Sequence, residues 1–118
     1  MRFSAVIAAA GIGSRAGAGR PKQWRLLAGR PVLRWSAEGL AAAGAESLVV
    51  AVADGEEAGA AEALAGLRGV RVVGGGGTWA DSERAGLAAL GDQAPDAVLI
   101  HDAARPFVQP RHVSALLE

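Results

Sequence analysis

The residues best suited to chemistry lie near the start of the chain. Ala8-Ala9-Ala10-Gly11-Ile12-Gly13-Ser14-Arg15 is a run of small residues ending in a guanidinium, and Lys22 follows seven residues later. A loop of alanine and glycine lets backbone N–H groups approach a phosphate that larger side chains would hold off. Glycine also tolerates the positive φ angles such a loop needs. Arg15 and Lys22 add fixed positive charge beside it, and Lys22 is the only lysine in the chain. The combination fits the cradling of a nucleoside triphosphate, with lysine as a compact point charge and arginine as a planar fork.

Two later stretches have related character. Gly74-Gly75-Gly76-Gly77 is unsuited to the interior of a helix or strand. It reads either as a flexible loop or as a second place where backbone approaches a ligand. His101-Asp102-Ala103-Ala104-Arg105-Pro106 follows an apolar run. Charged residues at the carboxyl end of a buried strand are where open α/β sheets contact ligands.

Elements able to position these groups follow from the patterning. Residues 3–9 predict a first buried strand centred on Val6 and Ile7. Residues 10–22 form a loop well beyond the usual length of about 4–6 residues, which favours a functional loop. Leu26-Leu27 and Gly29-Arg30 predict a short extended piece and a turn. Pro31 then opens a helix, whose apolar positions Val32, Leu33, Trp35, Ser36, Leu40 and Ala43 recur at helical spacing until Gly44 ends it. Residues 47–53 are continuously apolar, as expected of a strand covered on both faces. Asp54 is expected to cap a second helix, with Glu57 as its capping-box partner, running to about Leu67. Residues 70–73 predict a third strand, Thr78 or Asp81 a cap for a helix ending near Gly91, residues 97–100 a fourth strand, and Gln109-Pro110 a last helix. The alternation implies a parallel sheet with right-handed crossovers. Both glycine loops then follow strands expected to be parallel neighbours, at the same carboxyl edge. The predicted class is α/β, a Rossmann-like three-layer αβα arrangement with a mostly parallel sheet.

Composition narrows the function. With 118 residues the chain holds one domain at most. Twelve basic residues balance twelve acidic ones, so no charge surplus points to nucleic acid. There is no cysteine, hence no disulfide framework or thiolate metal site. No stretch approaches the ~20 apolar residues of a membrane span. A soluble cytoplasmic protein without membrane or nucleic-acid partners is the expectation.

The glycine loop is not a P-loop, since no Gly-Lys-Ser/Thr follows it. It is also a poor dinucleotide fingerprint. Asp54 is the acidic residue after strand two, and it lies over 40 residues from the loop, where about 20 is required. The residues as they stand resemble the nucleotidyltransferase family of sugar-phosphate pyrophosphorylases. Three motifs carry the resemblance: Ala9-Ala10-Gly11-Ile12-Gly13-Ser14-Arg15 with Pro21-Lys22-Gln23; Gly75-Gly76 with Asp81-Ser82 and Ala85-Gly86-Leu87; and residues 98–106, Val-Leu-Ile-His-Asp-Ala-Ala-Arg-Pro. The third is similar to the methylerythritol phosphate cytidylyltransferases within that family.

The resemblance implies transfer of CMP from CTP to 2-C-methyl-D-erythritol 4-phosphate, with pyrophosphate leaving, on the non-mevalonate route to isoprenoids. It implies a triphosphate cradle around Ala9, Ala10, Gly11 and Gly13, with Arg15 and Lys22 as the catalytic cations. Gly76, Gly77 and Ser82 would contact the cytosine, and Asp102 and Ala103 the ribose side. Asp102 would also meet Mg²⁺, and Arg105 would face the polyol phosphate. Family chains are nearly twice as long and homodimeric. Residues 1–118 are therefore expected to be the N-terminal, nucleotide-binding part of one nucleotidyltransferase domain, and inactive alone. In this family Trp79 replaces an arginine and Glu83 an apolar residue. The alternatives are a ribitol-5-phosphate cytidylyltransferase, another nucleotidyltransferase such as a guanylyltransferase, or a non-catalytic nucleotide-binding module.

Overall fold

The computed structural model describes residues 2–9, 26–76, 78–91 and 97–102. Their element order is β1 (Phe3–Ala8), β2 (Leu26–Leu27), β3 (Arg30–Pro31), α1 (Val32–Ala42), β4 (Leu48–Val52), α2 (Glu57–Ala63), β5 (Val70–Gly74), α3 (Trp79–Leu90) and β6 (Ala97–Asp102). Four strands form one parallel sheet in the order β5-β4-β1-β6, and β2 pairs antiparallel with β3 in a separate hairpin. The chain thus steps outward from β1 to β5, then returns across the sheet to place β6 on the other side of β1.

The β1 and β4 strands are buried along their whole length, which is why both read as unbroken apolar runs. Strand alternation sends Phe3, Ala5 and Ile7 to one face, with Leu48, Val50 and Val52 beside them. On that face they pack against Leu33, Ala37 and Leu40 of α1 and against Ala60 and Leu64 at α2. The opposite face presents Val6 and Val49 to Leu90 of α3. A fully buried Ile7 or Leu33 stabilises the fold by about 1.5–3 kcal/mol relative to exposure, and both are completely buried. The result is three layers, with α1 and α2 on one side and α3 on the other, as the alternation predicts.

Four expectations need correction. Strands β1 and β5 are not neighbours, because β4 lies between them; both still end at the same edge. The second helix starts at Glu57 rather than after Asp54, because Gly55 takes a φ of +94° and breaks the first turn. Glu57 Oε1 accepts from the Gly55 N–H at 2.6 Å, so the capping box with Asp54 does not form. That helix ends at Ala63, short of Leu67, since Gly66 follows at a φ of +89°. Gly74 is the last residue of β5, where it pairs with Val52. The last predicted helix lies outside the described residues.

Candidate functional site

All four strands of the main sheet end at one edge, and register fixes what meets there. Ala8 is level with Ala51 on one side and with Asp102 on the other. Val52 is level with Gly74. The backbone pairing runs slightly past the strands, since Ala9 N donates to Ala51 O at 2.8 Å and Gly75 N to Val52 O at 2.5 Å. Gly74 and Asp102 are therefore three strand spacings apart, roughly 14 Å. Between β1 and β6 the strand order reverses direction. Open α/β sheets bind ligands in the crevice at such a switch point.

Helix α3 is drawn against this edge by small residues. A Cβ added at Gly75 would lie 2.9 Å from Ser82 Oγ, 3.0 Å from Ser82 Cα and 3.1 Å from Ala51 Cβ. One added at Gly86 would collide with Val6 Cγ1. Glycine at both positions lets the helix sit directly on β1, β4 and the end of β5. Thr78 caps it, its Oγ1 accepting from Asp81 N at 3.1 Å. The positive end of the α3 dipole thus faces the carboxyl edge, where it favours anionic groups.

The sequence motifs fall on this edge where the structure describes them. Ala9 is buried immediately after β1. Gly76 takes a φ of +74°, which glycine adopts without strain. A Cβ there would also meet Asp81 at 2.9 Å. Ser82 is fully buried beneath Gly75 in the second turn of α3. Asp102 is the last residue of β6. Ala10, Gly11, Gly13, Arg15, Lys22, Gly77, Ala103 and Arg105 lie outside the described residues. No group of three or more His, Cys, Asp or Glu that could hold a metal occurs among the described residues.

Residues 3–118 match the family model described as IspD, 2-C-methyl-D-erythritol 4-phosphate cytidylyltransferase. The chain belongs to the IspD family. It is 58% identical over 119 residues to the bifunctional enzyme IspD/IspF of Caulobacter vibrioides, covering 99% of this chain and 31% of that protein. A solved 4-diphosphocytidyl-2C-methyl-D-erythritol synthase from Anaerococcus prevotii superposes with a TM-score of 0.74 at 27% identity, covering 98% of this chain and 50% of the other. A nucleotidyl transferase from Methanothermobacter matches with a TM-score of 0.68 at 30% identity, over 93% of this chain and 54% of the other. The chain spans about a third of the curated relatives it matches and about half of these solved structures.

Within this IspD fold, the sequence reading missed two features. Gly75 is the glycine whose missing side chain seats α3; its place directly after a strand, facing a serine seven residues on, was the available signal. Trp35, in sequence one of the apolar positions of the first helix, also reaches back to the hairpin before it. Its Nε1 donates to Leu27 O at 2.7 Å, and the Arg30 guanidinium lies 5.1 Å from its ring centroid. Nothing in the helical spacing of α1 reports a contact back to the preceding hairpin.

Proposed function

We propose that the protein, at its full natural length, transfers CMP from CTP to 2-C-methyl-D-erythritol 4-phosphate. The observation that supports this reading is the shared carboxyl edge, on which Ala9 after β1, Gly75 and Gly76 after β5 and Asp102 at the end of β6 all fall. An acceptor phosphate oxygen attacks the α-phosphorus of CTP. The new P–O bond forms as the bond from the α-phosphorus to the oxygen bridging it to the β-phosphorus breaks. Pyrophosphate leaves and the product is a cytidine diphosphate alcohol.

Such a transfer needs positioning and charge stabilisation more than covalent help. Backbone amides from Ala9 through Gly13 hold the triphosphate. Arg15 and Lys22 offset the charge that grows on the α- and β-phosphate oxygens as pyrophosphate departs. Gly76, Gly77 and Ser82 receive the cytosine, and Ala103 the ribose. Arg105 pairs with the phosphate of the acceptor.

Mg²⁺ suits this reading, because it takes most of its ligands from phosphates and water and needs only one or two carboxylates. Asp102 would hold it, and it would neutralise phosphate charge. We place the enzyme in the cytoplasm as a homodimer. No helix among the described residues is long and apolar enough to cross a membrane.

Offering the full-length protein methylerythritol phosphate and ribitol phosphate in parallel, with CTP, tests the acceptor. Turnover with the first and little with the second is expected. Preference for ribitol phosphate would move the assignment to the related transferase.

A further inference from the structure

Strand alternation sorts the residues at the carboxyl edge onto two faces. Ala8 is on the same face as Val6, which meets Gly86 of α3. Its register partners Ala51 and Asp102 share that face. Gly75 belongs to it as well, since a Cβ there would point at Ser82 and Ala51. Gly74, one residue earlier, faces the other way. A Cβ on it would meet Asp54 Oδ1 at 2.8 Å and Glu57 Oε2 at 3.2 Å. The carboxylates that follow β4 thus lie on the α2 side of the sheet, and Glu57 Oε1 already accepts from the Gly55 N–H at 2.6 Å. The α3 side carries Asp102 at the end of β6 and Asp81 in the first turn of α3.

Asp81 is held in place from two directions. Its backbone N–H donates to Thr78 Oγ1 at 3.1 Å, which fixes its position in the helix. Its side chain packs against Gly76, the glycine with a φ of +74°. A Cβ added to Gly76 would lie 2.9 Å from Asp81 Cβ and 3.1 Å from Oδ2. Oδ1 is 3.8 Å from Arg84 Nη1, a loose contact to an exposed guanidinium. The Asp81 side chain is 44% exposed, so a carboxylate stands beside the glycine segment and is open to a ligand.

We propose that Asp81 selects cytosine over uracil, its carboxylate accepting a hydrogen bond from the exocyclic amino group of the base. This rests on the cytidylyltransferase reading above, which puts the base at Gly76. Cytosine carries an amino donor at C4, where uracil carries a carbonyl oxygen. Glycine backbone offers both N–H and C=O, and so can match either base. A carboxylate only accepts. It attracts the amino group and repels the carbonyl, and discrimination grows from the unfavourable contact as much as from the favourable one.

The test uses the full-length protein as wild type, Asp81→Asn and Asp81→Ala. Calorimetry gives the Kd for CTP and for UTP, kinetics with methylerythritol phosphate gives kcat/KM for each, and the melting temperature reports the fold. Asparagine keeps the shape of the side chain, and its amide can accept from cytosine or donate to uracil. The Thr78 bond survives in both variants because it uses the Asp81 backbone N–H. Asp81→Asn should narrow the ratio of CTP to UTP affinity by about tenfold, the effect of one hydrogen bond to a half-exposed charged group, with UTP bound more tightly than by the wild type. Asp81→Ala should weaken CTP binding by a similar factor.

An unchanged CTP-to-UTP ratio in Asp81→Asn overturns the proposal. So does an equal loss for both nucleotides with a fall in melting temperature, which marks a first-turn acid that only steadies α3. If Asp81→Ala fails to fold, Asp81→Asn decides alone. Wild-type protein that binds neither nucleotide removes the cytidylyltransferase reading, and this inference with it. Wild-type protein that prefers CTP, with the ratio unmoved in Asp81→Asn, removes this inference and leaves that reading standing.

Discussion

One methyl group separates glycine from alanine, and at two positions it decides how α3 meets the sheet. At Gly86 the added Cβ would collide with Val6 Cγ1 on a fully buried strand, with no flexible side-chain end to yield. Gly86→Ala is expected to destabilise the fold by about 1–3 kcal/mol through overpacking, read as a lower denaturation midpoint. At Gly75 the nearest atoms include the Ser82 backbone at 3.0 Å, so the helix start must move. Gly75→Ala in the full-length protein should weaken CTP binding by roughly tenfold, about 1.4 kcal/mol. Titration calorimetry that finds wild-type affinity would separate this glycine from the nucleotide site. The arrangement of Gly75-Gly76…Asp81-Ser82, a glycine segment followed by a helix, was legible in the sequence. What Gly86 abuts was not, because a lone glycine inside a helix reports a missing side chain and says nothing of the strand behind it.

At the scale of elements, the strands were the plainest to read. Residues 3–8 and 48–52 are buried on both faces, and an uninterrupted aliphatic run is the signature of that environment. Helix α3 was also legible, since Thr78 offers a hydroxyl and Gly91 closes the other end at a φ of +53°. Thr78→Ala should cost about 1 kcal/mol, the usual worth of such a cap; an unchanged thermal melt would show that Asp81 N finds another acceptor. Helix α2 was misread at both ends. Its sequence Glu-Ala-Gly-Ala-Ala-Glu-Ala has almost no apolar periodicity, so only the backbone at Gly55 and Gly66 sets its limits. Arg34, from α1, satisfies two carbonyls at its far end. Removing that side chain in Arg34→Ala should destabilise the protein by about 1 kcal/mol and increase hydrogen exchange in residues 60–67 first. Uniform exchange across the molecule would argue against a local role.

For the molecule as a whole, the parallel α/β class was readable from the alternation of elements, but the strand order was not. Placing β6 beside β1 depends on α3 crossing back over the sheet, a contact between residues some ninety positions apart. That crossing creates the switch point. It also leaves β6 with apolar side chains toward solvent: Val98 and Ile100 are 36% and 38% exposed. Apolar surface on a sheet edge invites association. The 118-residue chain expressed alone is expected to self-associate in sedimentation experiments and to show negligible turnover, and Val98→Thr with Ile100→Thr should reduce the association. A monomeric, active piece would contradict both expectations.

The central claim is that the carboxyl edge of this sheet, with Arg15 and Lys22, holds CTP for attack at its α-phosphorus. Pyrophosphate release by the full-length protein tests it most directly, with CTP, methylerythritol phosphate and Mg²⁺ supplied together. The account predicts release with CTP and far less with GTP or UTP, and a fall of roughly 10²–10³-fold in kcat for Lys22→Ala, as for the loss of one charge-stabilising group. No pyrophosphate from the wild type, or undiminished release from Lys22→Ala, would contradict it.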